Sequence, residues 1–329
     1  MVLAIQLKVY FVYTTWGVFV ASSPARESPA PPSLILSLSR LLASNNYHGS
    51  PLLAIQNTMV QSSDNDTGYR PQEQWPTLTE MADGFHEHLM PASSALAGKT
   101  VEHTFSNGWR IKHEFDAAKL KWTMLEGEEV GSSAQVDYQA FEVRPGIFMI
   151  EFYKAEHEQE VTLILNTVSG QLKISVSGFA DRDGERRTYT VFLDATKCGD
   201  QPVEAFDVTD ELIGKHVLYR YTPRDAYQHF YVSPGTFMWH CLSGTEKDVA
   251  DADQCKMFKL SDQLYLLFWT ETIMPVESIV VVDLKELRST GRFFCWDPAP
   301  KTMVRTVFGS QATIINHADM AAELAKPLR

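Results

Sequence analysis

From about residue 96 onward, apolar and polar side chains alternate with a period of two rather than 3.6. That spacing belongs to strands with one face turned to a core. Val217, Tyr219 and Tyr221 alternate with Leu218 and Arg220, and Tyr227, His229 and Tyr231 with Gln228 and Phe230. Phe237, Trp239 and Cys241 alternate with Met238 and His240, and similar runs cover 147–153, 161–166, 171–177, 188–193, 264–271 and 278–284. Turn dipeptides separate the runs: Asn107-Gly108, Pro145-Gly146, Ser169-Gly170, Asp183-Gly184, Pro234-Gly235 and Thr290-Gly291. Short strands joined by tight turns make an antiparallel meander, which closes into a barrel or sandwich. Helix is expected only over 84–94 and 317–326. A barrel of eight strands is just wide enough to hold a small ligand.

The pattern occurs twice. Leu96-Ala97-Gly98-Lys99 matches Leu212-Ile213-Gly214-Lys215, Val101 matches Val217, and His113 matches His229. Trp122 to Gly127 matches Trp239 to Gly244, Glu129 matches Glu246, Phe141 matches Phe258, and Ile147 to Ile150 match Leu264 to Leu267. Asn166 matches Asp283, and the offset drifts by a single residue along the way. A repeat of this kind predicts two structural units, here 81–205 and 206–329. The polar, acidic stretch 197–211 reads as the linker between them.

The first eighty residues follow no such pattern. Residues 9–21 form an apolar run with Lys8 as the only basic flank, too short for a confident membrane span. Residues 22–80 are rich in Ser, Pro and Asn and bury too little apolar surface to offset ordering entropy. Residues 1–80 are therefore expected to be a disordered extension, with Met81 resembling a second start. A signal peptide in residues 1–25 is the alternative, so the expected location is the cytoplasm, or outside the cell if that peptide operates. Asn65-Asp66-Thr67 is a lone glycosylation sequon.

Net charge of −12 without any Lys/Arg run argues against nucleic-acid and anionic-membrane partners. None of the four cysteines, Cys198, Cys241, Cys255 and Cys295, lies in a CxxC pair, which argues against a zinc ribbon. Free thiols are expected, with a Cys241–Cys255 disulfide as the alternative in an oxidising compartment. The acidic segment Glu246–Asp253 lacks the glycine and final glutamate of a calcium loop and reads as solvated. His86-Glu87-His88 is not a metalloprotease motif. No metal or cofactor is expected.

Comparison of the two copies points to the second as the chemical one. Phe105, Ile111 and Phe115 of the first become Tyr221, Tyr227 and Tyr231 in the second. Buried phenols need partners, so four tyrosines and His229 on one face suggest a site. Trp239 and Trp269 would form aromatic walls for a flat ligand. If Trp269 faces inward, Glu271 does too, although alternation alone does not say which side is in. A desolvated carboxyl near phenols holds its proton more tightly and serves as acid or base. Tyr221, His229 and Glu271 are the candidate catalytic residues, and Tyr219, Tyr227, Tyr231, Trp239 and Trp269 the candidate ligand-binding residues. Each also has a structural reading: His229 shares its place with His113, and tryptophans and tyrosine stripes commonly pack sheets.

The set Tyr-x-His-x-Tyr (227–231), Trp-x-Cys-Leu-x-Gly (239–244), Ala-Asp-x-Cys (252–255) and Phe-Trp-x-Glu (268–271) resembles the carboxy-terminal half of the molybdenum-cofactor biosynthesis protein F (MoaF) family. Asn107–Asp116 and Val143–Phe152 resemble its amino-terminal half, and the resemblance spans about 81–315. It implies an all-β fold of two tandem lipocalin/calycin-like antiparallel barrels. It also implies a small-molecule-binding role in molybdenum-cofactor (molybdopterin) biosynthesis, with a pterin-like or aromatic ligand in the C-terminal barrel. The same fold class includes phenolic acid decarboxylases, whose paired tyrosines, Arg and Glu resemble Tyr219, Tyr221 and Glu271 here; no Arg of the second copy takes the remaining place. The alternative is a cofactor-independent lyase, isomerase or cyclase acting on an aromatic or secondary metabolite. Whether the chain is an enzyme stays open, as does a homodimer.

Overall fold

The structure is a computed structural model and describes residues 75–182, 184–199 and 204–327. The apolar run 9–21 and nearly all of the expected extension lie outside the described residues.

Sixteen strands form two closed barrels of eight, each an antiparallel meander. The first contains β1 (Thr100–Phe105), β2 (Arg110–Phe115), β3 (Lys119–Glu126), β4 (Ser133–Arg144), β5 (Ile147–Lys154), β6 (Gln159–Asn166), β7 (Gln171–Arg182) and β8 (Glu185–Lys197). The second contains β9 (Lys215–Arg220), β10 (Ala226–Ser233), β11 (Thr236–Ser243), β12 (Ala250–Ser261), β13 (Leu264–Thr270), β14 (Val276–Asp283), β15 (Arg288–Asp297) and β16 (Thr302–His317). Pairing of β1 with β8, and of β9 with β16, closes each ring, leaving no sheet edge to template aggregation.

The repeated motif has the same task in both. Leu96 and Leu212 are completely buried, each under one end of its barrel. Two residues on, Gly98 N–H donates to the Phe115 carbonyl at 2.8 Å, and Gly214 N–H to the Tyr231 carbonyl at 2.9 Å. Both glycines have positive φ, +77° and +82°, a region that penalises any side chain.

The barrels pack against each other through one wall, which explains why β5 and β13 read as unbroken apolar runs. Along β13, Tyr265, Leu267 and Trp269 face the second barrel's interior, while Leu264, Leu266 and Phe268 face the first barrel. Along β5, Phe148, Ile150 and Phe152 face inward, and Ile147 and Met149 face the second barrel. The wall also buries charge. Arg292, 1% exposed, donates to Glu277 at 2.6 Å, to Thr162 Oγ1 at 3.0 Å and to Ser177 Oγ at 2.8 Å. It lies 3.4 Å from Glu151. Glu160 is held by Arg305, and Arg144 grips Asp283 with two bonds of 2.5 and 2.6 Å. Burial raises the Glu151 carboxyl well above its ordinary range, against the pull of Arg292.

Two expectations about local structure are corrected. The segment 84–94 is not a helix. Helix α1 instead covers Leu78–Met81, capped by Thr77 and Glu80, and turns follow it. Gly84 has φ +82°, and the Phe85 carbonyl is spent on Gly309 N–H of β16 at 3.1 Å, so an internal helical ladder gives way to bonds with a strand. The expected tail helix over 317–326 shrinks to α2, Met320–Leu324. The stretch after β8 is also more than a solvated tether. Phe206 is buried in the wall between barrels, and Asp207 and Thr209 pair their backbones with β12.

The residues before β1 lie on the second barrel. Leu78 N–H donates to Asp297 Oδ2 at 2.8 Å, and Leu78 and Met81 pack with Met274, Val276 and Cys295. Gly309 makes room for this strap: a Cβ there would sit 2.3 Å from the His88 carbonyl oxygen.

Candidate functional site

Register and parity place all eight sequence-nominated residues inside the second barrel or at its mouth. Tyr227 pairs with Tyr219, His229 with Val217 and Trp239, and Tyr231 with Phe237, so their side chains share the inner face. Trp269 follows on β13, and Glu271 lies just past its end, on the same side. Arg220 is exposed, as alternation with Tyr219 requires.

The interior is largely filled by these side chains, but a cavity remains toward the mouth. Its volume is about 50 Å³, well below that of typical ligand pockets, so a ring-sized ligand enters only as the lining side chains shift apart. Tyr221, Tyr227, His229, Trp239, Trp269 and Glu271 line it, joined by Phe85, Glu246 and Phe293. Tyr219 and Tyr231 lie outside that lining. Their hydroxyls bond each other at 2.8 Å, so both phenols are satisfied without a ligand.

The structure adds three residues that sequence reasoning missed. Phe85 arrives on the strap and stacks on Tyr221 with ring centroids 4.5 Å apart, edge-on to Tyr227 at 6.1 Å. Nothing local in the sequence couples position 85 to 221. Phe293 comes from β15 and stacks on Phe308 at 4.3 Å. Glu246 departs from the solvated reading that holds for Lys247, Asp248, Ala250 and Ala252: it is buried and accepts a bond from the Tyr227 hydroxyl at 2.5 Å. Asp253, from the same stretch, is 1% exposed and accepts from Trp239 Nε1 at 2.8 Å. The match of Glu246 to Glu129 in the repeat was the available signal.

Burial dominates the electrostatics. It pushes His229 down to about 3, so the imidazole is neutral at physiological pH. It raises the phenols of Tyr221 and Tyr227, which therefore keep their protons. Burial, with the charges of Glu246 and Asp253, holds Glu271 well above the usual carboxylate range. Glu246 is raised by burial, against the bond from Tyr227. Asp253 is pushed up to about 6 by burial, partly offset by Trp239. Two buried polar atoms facing this space have no partner: Glu271 Oε2 and His229 Nδ1. The other Glu271 oxygen accepts only a long bond, 3.5 Å, from Trp269 Nε1.

The site can therefore sandwich a flat ring, offer it hydrogen bonds from neutral groups, and hold or release a carboxyl proton. The four cysteines are free thiols, and burial raises Cys241 and Cys255 to about 11. Among the described residues, no three His, Cys, Asp or Glu side chains are placed to hold a metal, and no helix is long and apolar enough to cross a membrane.

Comparison with known proteins follows the two-barrel division. Residues 73–181 match the MoaF N-terminal domain and residues 206–318 the MoaF C-terminal domain. Protein MoaF of Klebsiella aerogenes is 28% identical over 234 residues, covering 64% of this chain and 84% of that protein. A crystal structure from Burkholderia vietnamiensis, described as a provisionally assigned β-lactamase, aligns with 33% of this chain and 97% of its own at 17% identity. Its TM-score of 0.27 is too low to carry an argument. With both halves matched in order and across most of the two-barrel body, the chain belongs to the MoaF family.

Proposed function

We propose that the chain serves molybdenum-cofactor biosynthesis, the process for which its family is named, by holding a flat heteroaromatic molecule in the second barrel. One observation carries this reading. Glu271 Oε2 and His229 Nδ1 are buried without partners beside a cavity walled by Tyr221, Trp239 and Trp269. Unpartnered buried polar groups are costly, about 1–3 kcal/mol each, and a ligand's own donors and acceptors would relieve that cost. A pterin-like ring fits the chemistry, with π faces for the walls and a polar edge for the carboxyl.

The test is fluorescence and thermal-shift titration of the intact chain with 2-amino-4-oxopteridine. Quenching of the tryptophans with a rise in Tm is expected, and Trp239→Leu should abolish the quenching. A flat response at millimolar pterin would remove the proposed ligand class.

A second reading, a cofactor-independent lyase or isomerase, is favoured by two carboxyls whose hold on a proton burial strengthens. Glu271 and Glu246 face one cavity, and Tyr227 donates to Glu246 at 2.5 Å. In that reading Glu271 is the acid, and Tyr221 and His229 orient the substrate, since both are neutral at pH 7. Turnover of a found substrate that survives Glu271→Gln unchanged would exclude it.

A further inference from the structure

Resting on that reading of the second barrel, we propose that its cavity selects rings bearing a cation or paired N–H donors, such as amidines and aminopyrimidines. It excludes ring carboxylates, and Glu246 and Glu271 determine this specificity.

Two carboxyls line the cavity, and no lysine or arginine is among the lining residues. His229 supplies no positive charge, because burial holds its pKa at about 3. The remaining walls include Tyr221, Trp239 and Trp269, whose ring faces are negative and attract cations. A buried anion would meet two carboxyls and π faces but no cation, with only neutral donors such as Tyr221 and His229 to set against its lost hydration.

The first barrel fills the equivalent place differently. The repeat sets Trp122 against Trp239 and Ile147 against Leu264, and pairs Phe152 with Tyr138 where Trp269 pairs with Cys255. This alignment puts Lys154 at the place of Glu271, and Glu129 at the place of Glu246. In the first barrel the Lys154 ammonium lies over the Trp122 ring, 4.6 Å from its centroid, and is drawn to Glu129. That barrel thus carries its own cation beside the conserved tryptophan. In the second barrel the lysine is replaced by a glutamate, and the cation's place beside the indole and the remaining carboxylate is left to a ligand.

Where this chain buries Glu277 and Glu151 between its barrels, it buries Arg292 with them. Among the described residues, no ion pair gives Glu271 such a counterion. The groups facing it are Glu246, Asp251 and Asp253 from the β11–β12 turn and β12, Tyr221 after β9, and Cys295 on β15, all acidic or neutral. A bound cation would let the Glu271 carboxyl ionise, so binding releases a proton and tightens as pH rises.

The experiment uses three single-ring probes of one size, benzamidine, benzamide and benzoate, titrated calorimetrically into the intact chain at pH 6.5 and 8.0. Benzamidine should bind at least tenfold more tightly than benzamide, with a further gain at pH 8.0 and proton release in buffers of different ionisation enthalpy. Benzoate should show no heat of binding. Glu271→Gln and Glu246→Gln should each remove most of the preference for benzamidine over benzamide. Benzoate binding as tightly as benzamidine, or a preference that survives both substitutions, overturns the charge selection but leaves the cavity as a ring-binding site. Failure of all three probes to bind overturns the underlying reading and this inference with it. The wild-type comparison decides the matter even if a glutamine variant fails to fold.

Discussion

The two barrels share strand order, closure and the buried leucine of their repeated motif, yet their interiors differ in kind. In the first, Phe105, Ile111, Phe115, Trp122 and Met124 surround two histidines, His103 and His113. In the second, the corresponding places hold Tyr221, Tyr227, Tyr231, Trp239 and Cys241 around His229, with Tyr219 where His103 stands. Acidic groups enter as well: Asp253 takes the place of Val136, and Glu271 that of Lys154. The scaffold is set by apolar size at inward positions, which both copies satisfy. Polarity at those positions is then free to vary: both interiors bury unpartnered polar atoms, and in the second, two of them, Glu271 Oε2 and His229 Nδ1, border a cavity.

The largest effect should come from breaking what the barrels have in common, their shared wall. Arg292→Ala would leave Glu277, Glu151 and Glu160 buried without their central cation. Removing one partner of a buried ion pair costs about 3–5 kcal/mol. Urea denaturation followed by tryptophan fluorescence should show that loss, and a single transition should split into two as the barrels uncouple. A variant as stable as the parent would mean that the apolar residues alone hold the wall.

Next in size is the strap, which closes only the second barrel. Phe85→Ala should destabilise by about 2–4 kcal/mol, in the range for aromatic truncation in a core. It should also open the cavity, because Phe85 covers Tyr221 and Tyr227. Acrylamide should then quench Trp239 and Trp269 more strongly, with Trp122 of the first barrel unchanged. Unaltered quenching would show that the mouth lies elsewhere.

Buried histidines of the first interior and a buried carboxyl of the second should also respond to pH in opposite senses. Burial pushes His103 down to about 4 and His113 down to about 3, against 6.5 when unfolded. The unfolded chain therefore takes up these protons first. Their stability contribution is complete above pH 6.5 and is lost as pH falls toward 4, with a slope of about 1.4 kcal/mol per pH unit for each histidine. Asp253 runs the other way. Its folded pKa of about 6 exceeds the unfolded 3.8, so stability is greatest below that lower value and is lost as pH rises through 6. Thermal melts at pH 4.5 and 7.5 check both. His113→Asn should reduce the acid loss, and Asp253→Asn should gain stability at pH 7.5 relative to pH 4.5. Parallel pH profiles for the two variants would contradict the contrast.

The fold was readable because a period of two leaves little freedom. Once Tyr219, His229 and Trp239 are assigned to one face, closure sends them all inward, and the repeated Leu-x-Gly-Lys marks the same corner twice. The shared wall was not readable from that rule. The runs Ile147–Phe152 and Leu264–Trp269 are apolar on both parities, and the rule assumes one wet face. Such runs are the signal of burial on both sides. Phe85 was hidden for another reason: its contact with Tyr221 spans the whole first barrel, and a turn-rich segment carries no periodicity to announce it. Glu246 was misread because acidic stretches between strands are normally solvated, whereas here Tyr227 offers a buried hydroxyl to meet the carboxylate.

The smallest expected effect tests whether the deeper tyrosines belong to the scaffold. Tyr231→Phe converts this position to the Phe115 of the first barrel and leaves the Tyr219 hydroxyl without its 2.8 Å partner. Losing such a bond costs about 1 kcal/mol, somewhat more when the orphaned group stays buried. Tyr219→Phe should cost a similar amount. The double variant should cost less than the sum, because removing both hydroxyls leaves nothing unsatisfied, and chemical denaturation of the four proteins closes that cycle. Ligand affinity should be unchanged in all three variants, since neither hydroxyl borders the cavity. Strict additivity would show that the two hydroxyls are not coupled. A fall in affinity would move the floor of the site one layer deeper, to the tyrosines that the first barrel replaces with His103 and Phe115.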